Sequence, residues 1–167
     1  MGIIEKRRSI RRFTHEPVDR EQLMRIVRAG MHAANAYGTR PWQFLVLTEQ
    51  KSIAKAAAVN PNCAPAKGAA ALIIPLYDPD KEHKRSDWWM EDMSACTQNI
   101  LLKITEEGLG GVWLGICPRE DRMAYLREAF GIPERLIPFS LIALGHPAEQ
   151  GDDDDREDAQ IHMERYE

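Results

Sequence analysis

The sequence predicts a domain that mixes helices and strands, α+β or α/β in class. Apolar residues recur at helical spacing from Leu23 to Met31 and again from Trp89 to Ile104. FLVL and ALIIPLY are short, continuous apolar runs of strand length. Helices and strands therefore alternate along the chain, with glycine, proline and asparagine at the joints. The 167 residues, 44% hydrophobic and 29% charged, suffice for one real core, and no internal repeat or linker divides them. The whole of 1–167 reads as a single domain, with 151–167 set apart as a C-terminal arm.

The elements follow in order. Asp19 and Gln22 form a capping-box pattern and Val18 can staple the first turn, so a helix is expected from about Arg20 to Ala33. Pro41-Trp42 closes the next loop, and Gln43 to Thr48 reads as a buried strand. Lys51 to Val59 is alanine-rich and helical until Asn60-Pro61-Asn62 breaks it. Ala70 to Tyr77 is the second strand. In the long helix after it, Trp89, Met93, Cys96, Ile100 and Ile104 share one stripe, and Gly108 or Gly110 caps the end. Gly111 to Ile116 is a strand, Arg119 to Phe130 a helix closed by Gly131 and Pro133, and Phe139 to Leu144 a fourth strand. The tail carries four carboxylates, Asp152 to Asp155, and then a short period-two pattern, Ile161 to Glu164. It reads as a frayed terminus or as an arm that adds a strand to another subunit.

Composition narrows the function classes. No apolar run reaches the roughly 20 residues that span a bilayer, and MGIIEKRRS runs from apolar to basic, the reverse of a secretory leader. Gly2 lacks the hydroxyl context of a myristoylation site. Three widely spaced cysteines without a CxxC pair suit reduced thiols in a cytoplasmic chain. The five histidines show no metal-ligand spacing, so no metal site is expected.

Against a net charge of -4, the stretch EKRRSIRRF concentrates positive charge between Lys6 and Arg12. A solvated basic surface, a nucleic-acid patch and a compact phosphate site all compete for it. Nucleic-acid binding ranks lowest, because the rest of the chain is acidic and offers no broad basic face. Arginine forks with Ser9 between them suit one phosphate group. Neither GxGxxG nor GxxxxGK[ST] occurs. Two other stretches, HAANAYGTRPW and GLGGVWLG, hold small residues that let backbone approach a flat aromatic ligand.

With these segments in place the chain resembles the nitroreductase family of FMN enzymes. The resemblance runs through RRSIRRF, RPWQFLVL, APAKGAAALIIPLYD, DMSACTQNILLKITEEGLGGVWLG, AFGIP and LIALGHPAE. It implies an α+β fold with a central mixed sheet flanked by helices, and a homodimer with FMN at the subunit interface. Arg7, Arg8 and Ser9 would hold the ribityl phosphate, and Arg11 the pyrimidine side of the flavin near N1 and O2. Ala34, Asn35, Ala36 and Gly38 would come from the other subunit. Trp113, Leu114 and Gly115 would line the ring, with the Gly115 N–H near N5, and Arg156 in the tail would add a last phosphate contact.

The implied activity is NAD(P)H-dependent, ping-pong reduction of nitroaromatics, quinones or similar small acceptors, with no catalytic side chain because the flavin carries the chemistry. A flavin-binding protein for storage or sensing is the alternative. Ala34-Asn35, Gly38 and Arg40 depart from the Pro-Ser, Asn and Gln of many relatives. Asp78 to Asp87 leaves little room for a large lid; Trp88 and Trp89 can wall the pocket or join the core. Cys117 reads as an inert thiol.

Overall fold

Residues 2–151 and 161–166 are described by a computed structural model. The elements are α1 (Ile3–Lys6), α2 (Arg20–Met31), β1 (Trp42–Leu47), α3 (Gln50–Ala57), β2 (Ala71–Tyr77), α4 (Trp89–Glu106), β3 (Gly110–Gly115), α5 (Glu120–Phe130), β4 (Ile137–Pro138) and β5 (Ser140–Gly145). Every helix and strand expected up to Leu144 occurs, with no end moved by more than two residues. The strands lie in the order β1-β2-β5-β3, with β4 beside β2.

The expected mixed sheet is corrected in one respect. All four strand ladders are antiparallel, and the parallel component among the described residues is a single bridge, Ser9 to Gly111. The sheet is covered on both faces, which explains why ALIIPLY is apolar without alternation. Leu72, Ile74 and Leu76 of β2 join Ile53, Cys63 and Leu126 on one face. Ala71, Ile73 and Tyr77 join Ile26, Met93, Ile100 and Ile104 of α2 and α4 on the other.

The Asp19 carboxylate caps α2, accepting from the backbone N–H of Glu21 and Gln22 at 2.8 and 3.1 Å. Gln22 does not close the box; its Nε2 donates to Glu107 O, at the end of α4. The two helices approach closely at Gly30, where an added Cβ would lie 2.8 Å from Ile100 Cγ1. Arg25 grips the Glu107 carboxylate at 3.0 and 2.8 Å, and Lys103 adds a contact at 3.1 Å. The Arg25 hydrogen bonds and Lys103 hold the Glu107 carboxyl well below the usual range, at about 2.

Among the described residues no helix is long and apolar enough to cross a membrane. Ile161 to Glu164 pairs with no strand here; it forms an exposed bend in which Glu164 has φ +64°. Whether it adds a strand to another subunit therefore rests on the sequence pattern.

Candidate active site

The basic segment lies against the edge of the sheet. Ile10 N donates to Gly111 O at 3.1 Å beside the Ser9–Gly111 bridge. An added Cβ at Gly110 would stand 2.7 Å from the Ile10 side chain, so this glycine is what lets the segment come so near. On its other side the segment meets the chain leaving β5. Thr14 N donates to His146 O, Ala148 N to Arg12 O, both at 2.9 Å, and Phe13 bridges Pro147.

Past Gly111 the segment diverges from β3, which is the terminal strand of the sheet order. A cleft of about 280 Å³ opens there, lined by Arg11, Asn62, Trp113, Leu114, Gly115 and Arg122, among others. Trp113 is 36% exposed, whereas the Leu114 side chain packs into the core. A Cβ at Gly115 would meet nothing within 4 Å. Arg122 Nη1 donates to Gly115 O at 2.6 Å. The cleft thus pairs two guanidinium groups with an open stretch of strand backbone, while the Trp113 ring, on the strand face opposite Leu114, tilts against Phe139 at 5.8 Å. That arrangement suits a flat aromatic ligand carrying negative charge.

The remaining predicted residues fall in two other places. Arg7 caps α1 in an extended conformation. Arg8 Nη1 donates to Glu5 O and Arg7 O at 2.6 and 3.0 Å. Ala34, Asn35, Ala36 and Gly38 form the loop after α2 and do not line the Arg11 cleft. The loop turns sharply, with φ +55° at Tyr37, +65° at Gly38 and +50° at Arg40. Asn35 is engaged inside it. Its Oδ1 accepts from Arg40 N at 2.9 Å, and its Nδ2 donates to Ala33 O at 3.2 Å. Tyr37 stacks on His83 at 4.2 Å. Arg156 lies outside the described residues.

Sequence reasoning missed four residues around these places. Asn62 and Arg122 line the cleft, Glu149 accepts from the basic segment, and Asp92 holds the Ala34–Gly38 loop. Asp92 Oδ1 accepts from Ala36 N at 2.8 Å, although its side chain is buried at the start of α4. Burial raises its carboxyl above the usual range, and the Ala36 N–H pulls the other way. In the sequence it is an ordinary acidic residue of a first helical turn. Glu149 stands in LIALGHPAE, but the motif itself gives it no role.

Trp89 stacks on Tyr77 at 4.6 Å, while Trp88 is 56% exposed. Burial, foremost, and the nearby Glu120 charge raise the Cys117 thiol.

The Nitroreductase family model matches residues 4–78 and 53–146. The chain belongs to the nitroreductase family. A relative from Methanothermobacter thermautotrophicus, "Putative NADH dehydrogenase/NAD(P)H nitroreductase", is 40% identical over 98% of this chain and 85% of its own. The crystal structure of a "Putative NADH Oxidase" from Clostridium acetobutylicum has TM-score 0.93 and 36% identity, over 99% of this chain and all of that one. An FMN-dependent nitroreductase from Clostridium difficile has TM-score 0.89 and 26% identity, with 99% of each chain covered. Over that nitroreductase fold, the elements bearing RRSIRRF and GLGGVWLG are the ones that meet at the Arg11 cleft.

Proposed function

We propose that this nitroreductase is an NAD(P)H-dependent oxidoreductase with FMN as its cofactor, acting on nitroaromatics, quinones or similar small acceptors. The observation that carries the reading is the cleft in which Arg11 meets Trp113 and Gly115. The residues fit the cofactor: a basic segment for a phosphate, and a glycine whose missing Cβ leaves the strand backbone open to a flat ring. When bound, FMN supplies the hydride chemistry.

The chain's residues bind and tune. Arg7, Arg8 and Ser9 hold the phosphate through charge-assisted hydrogen bonds. Arg11 places a fixed cation where reduction adds negative charge. The Trp113–Gly115 stretch of β3 would line the ring, and Gly115 would leave its edge accessible. With NAD(P)H and the acceptor using the site in turn, the kinetics would be ping-pong. No side chain is assigned as acid, base or nucleophile.

A single chain keeps Ala34–Gly38 out of the Arg11 cleft, so the complete site is a homodimer in which each subunit lends this loop to the other.

The test is a spectrum. The purified protein takes up FMN, turns yellow, is bleached by NADH or NADPH without oxygen, and regains colour with a quinone. A protein that takes up no FMN overturns the reading. One that holds FMN but is never bleached is a storage or sensing protein.

A further inference from the structure

One carboxylate meets the basic segment at three points. Glu149 Oε1 accepts from Arg11 N at 2.6 Å and from Arg12 N at 3.1 Å, and Oε2 accepts from Arg12 Nε at 2.8 Å. Neighbouring amides of an extended segment normally point apart, so two that converge on one oxygen mark a local turn of the backbone. Ile10 and Phe13, on either side of this turn, are fixed by packing against Gly110 and Gly145. Between them hydrogen bonds hold the backbone. Glu149 supplies two of these, from 138 and 137 residues away in sequence.

The contact also sorts the arginines. Arg12 pairs with Glu149 and is turned away, whereas Arg11 lines the cleft and its Nη1 donates to Ser9 O at 3.4 Å. Glu149 thus meets the Arg11 and Arg12 amides and the Arg12 side chain, while the Arg11 guanidinium stays at the cleft. The arrangement extends toward the tail. Two residues beyond Glu149, an added Cβ at Gly151 would stand 2.2 Å from Arg8 Cβ. One short segment thus touches Arg8, Arg11 and Arg12. The Arg11 amide, foremost, and the Arg12 side chain hold the Glu149 carboxyl below its usual range, so it stays charged at neutral pH.

We infer that Glu149 is a positioning residue for the cofactor, a carboxylate whose grip on the Arg11 and Arg12 amides aims the Arg11 guanidinium at the cleft. The inference rests on the proposed FMN site. An exposed ion pair by itself contributes little, so the Arg12 side chain is not the point of the contact. The amide bonds to a charged acceptor are.

The experiment compares Glu149→Ala, Glu149→Gln and Arg12→Ala in the full chain. It reads FMN affinity by flavin fluorescence, the midpoint potential of bound flavin, and the melting temperature without cofactor. Glu149→Ala should weaken FMN binding about tenfold and lower the potential, because a misplaced Arg11 cation no longer stabilises the reduced flavin. Glu149→Gln keeps an acceptor oxygen without the charge and should lose about threefold. Arg12→Ala should bind FMN as the wild type does. If Glu149→Ala fails to fold, a loss in Glu149→Gln that Arg12→Ala lacks supports the inference, and equal behaviour of the two overturns it. A wild type that binds FMN alongside a Glu149→Ala that binds it equally well, at unchanged potential, overturns the inference alone. A wild type that takes up no FMN overturns the functional reading as well.

Discussion

At the scale of single residues, the glycines of GLGGVWLG look alike in sequence and separate in structure. Gly110 is demanded by packing, because Ile10 fills the space a side chain would need. Gly115 is not, because its Cβ would enter open space. Gly115→Val should therefore fold with a near-normal melting temperature yet reduce its flavin slowly, even at saturating NAD(P)H. A displacement of reacting groups by about 1 Å costs roughly a hundredfold in rate. Rapid mixing measures this directly, and a normal reduction rate would remove Gly115 from the reacting edge. Asp92 and Glu149 show what a sequence hides at this scale. Each acts on backbone amides far away in the chain, and a carboxylate gives no local sign of which distant N–H it will accept from.

At the scale of elements, α2 and α4 were legible because their apolar stripes are long and periodic. The short α1 and two-residue β4 were not, since neither spans enough residues to establish a period. Nor could the sequence show that every ladder is antiparallel, because strands buried on both faces carry no mark of direction. The junction of α2 with α4 makes a pH prediction. Arg25 and Lys103 depress the Glu107 carboxyl to about 2 in the folded chain. A depressed carboxylate stabilises the fold fully above its ordinary range, and the contribution is lost as pH falls through the folded value. Glu107→Gln should accordingly melt below the wild type at neutral pH, and the gap should close as pH drops from the usual carboxylate range toward 2. A gap independent of pH would mean that the charge of Glu107 does not matter to the junction.

At the scale of the whole molecule, RRSIRRF and GLGGVWLG meet at one cleft, and the family resemblance already implied that Ala34–Gly38 would reach it from another subunit. The Ala34–Gly38 loop is held by Asp92 within its own chain and does not line that chain's Arg11 cleft. If the tail reaches the partner and Arg156 contacts the phosphate, as the family resemblance implies, truncation before Gly151 should lower the melting temperature and weaken FMN retention. Unchanged dimer mass, melting point and flavin content in the truncated chain would assign the tail no role. The central claim is that the basic stretch grips a phosphate and tunes a ring. Its most direct measurement is the affinity for FMN and for riboflavin across single alanine variants of Lys6, Arg7, Arg8, Arg11 and Arg12. Arg7→Ala and Arg8→Ala should weaken FMN by roughly tenfold to a hundredfold while leaving riboflavin, which lacks the phosphate, nearly unchanged. Lys6→Ala and Arg12→Ala should match the wild type, and Arg11→Ala should weaken both flavins and lower the midpoint potential. Equal small losses at all five positions would contradict the account and leave only a diffuse basic surface.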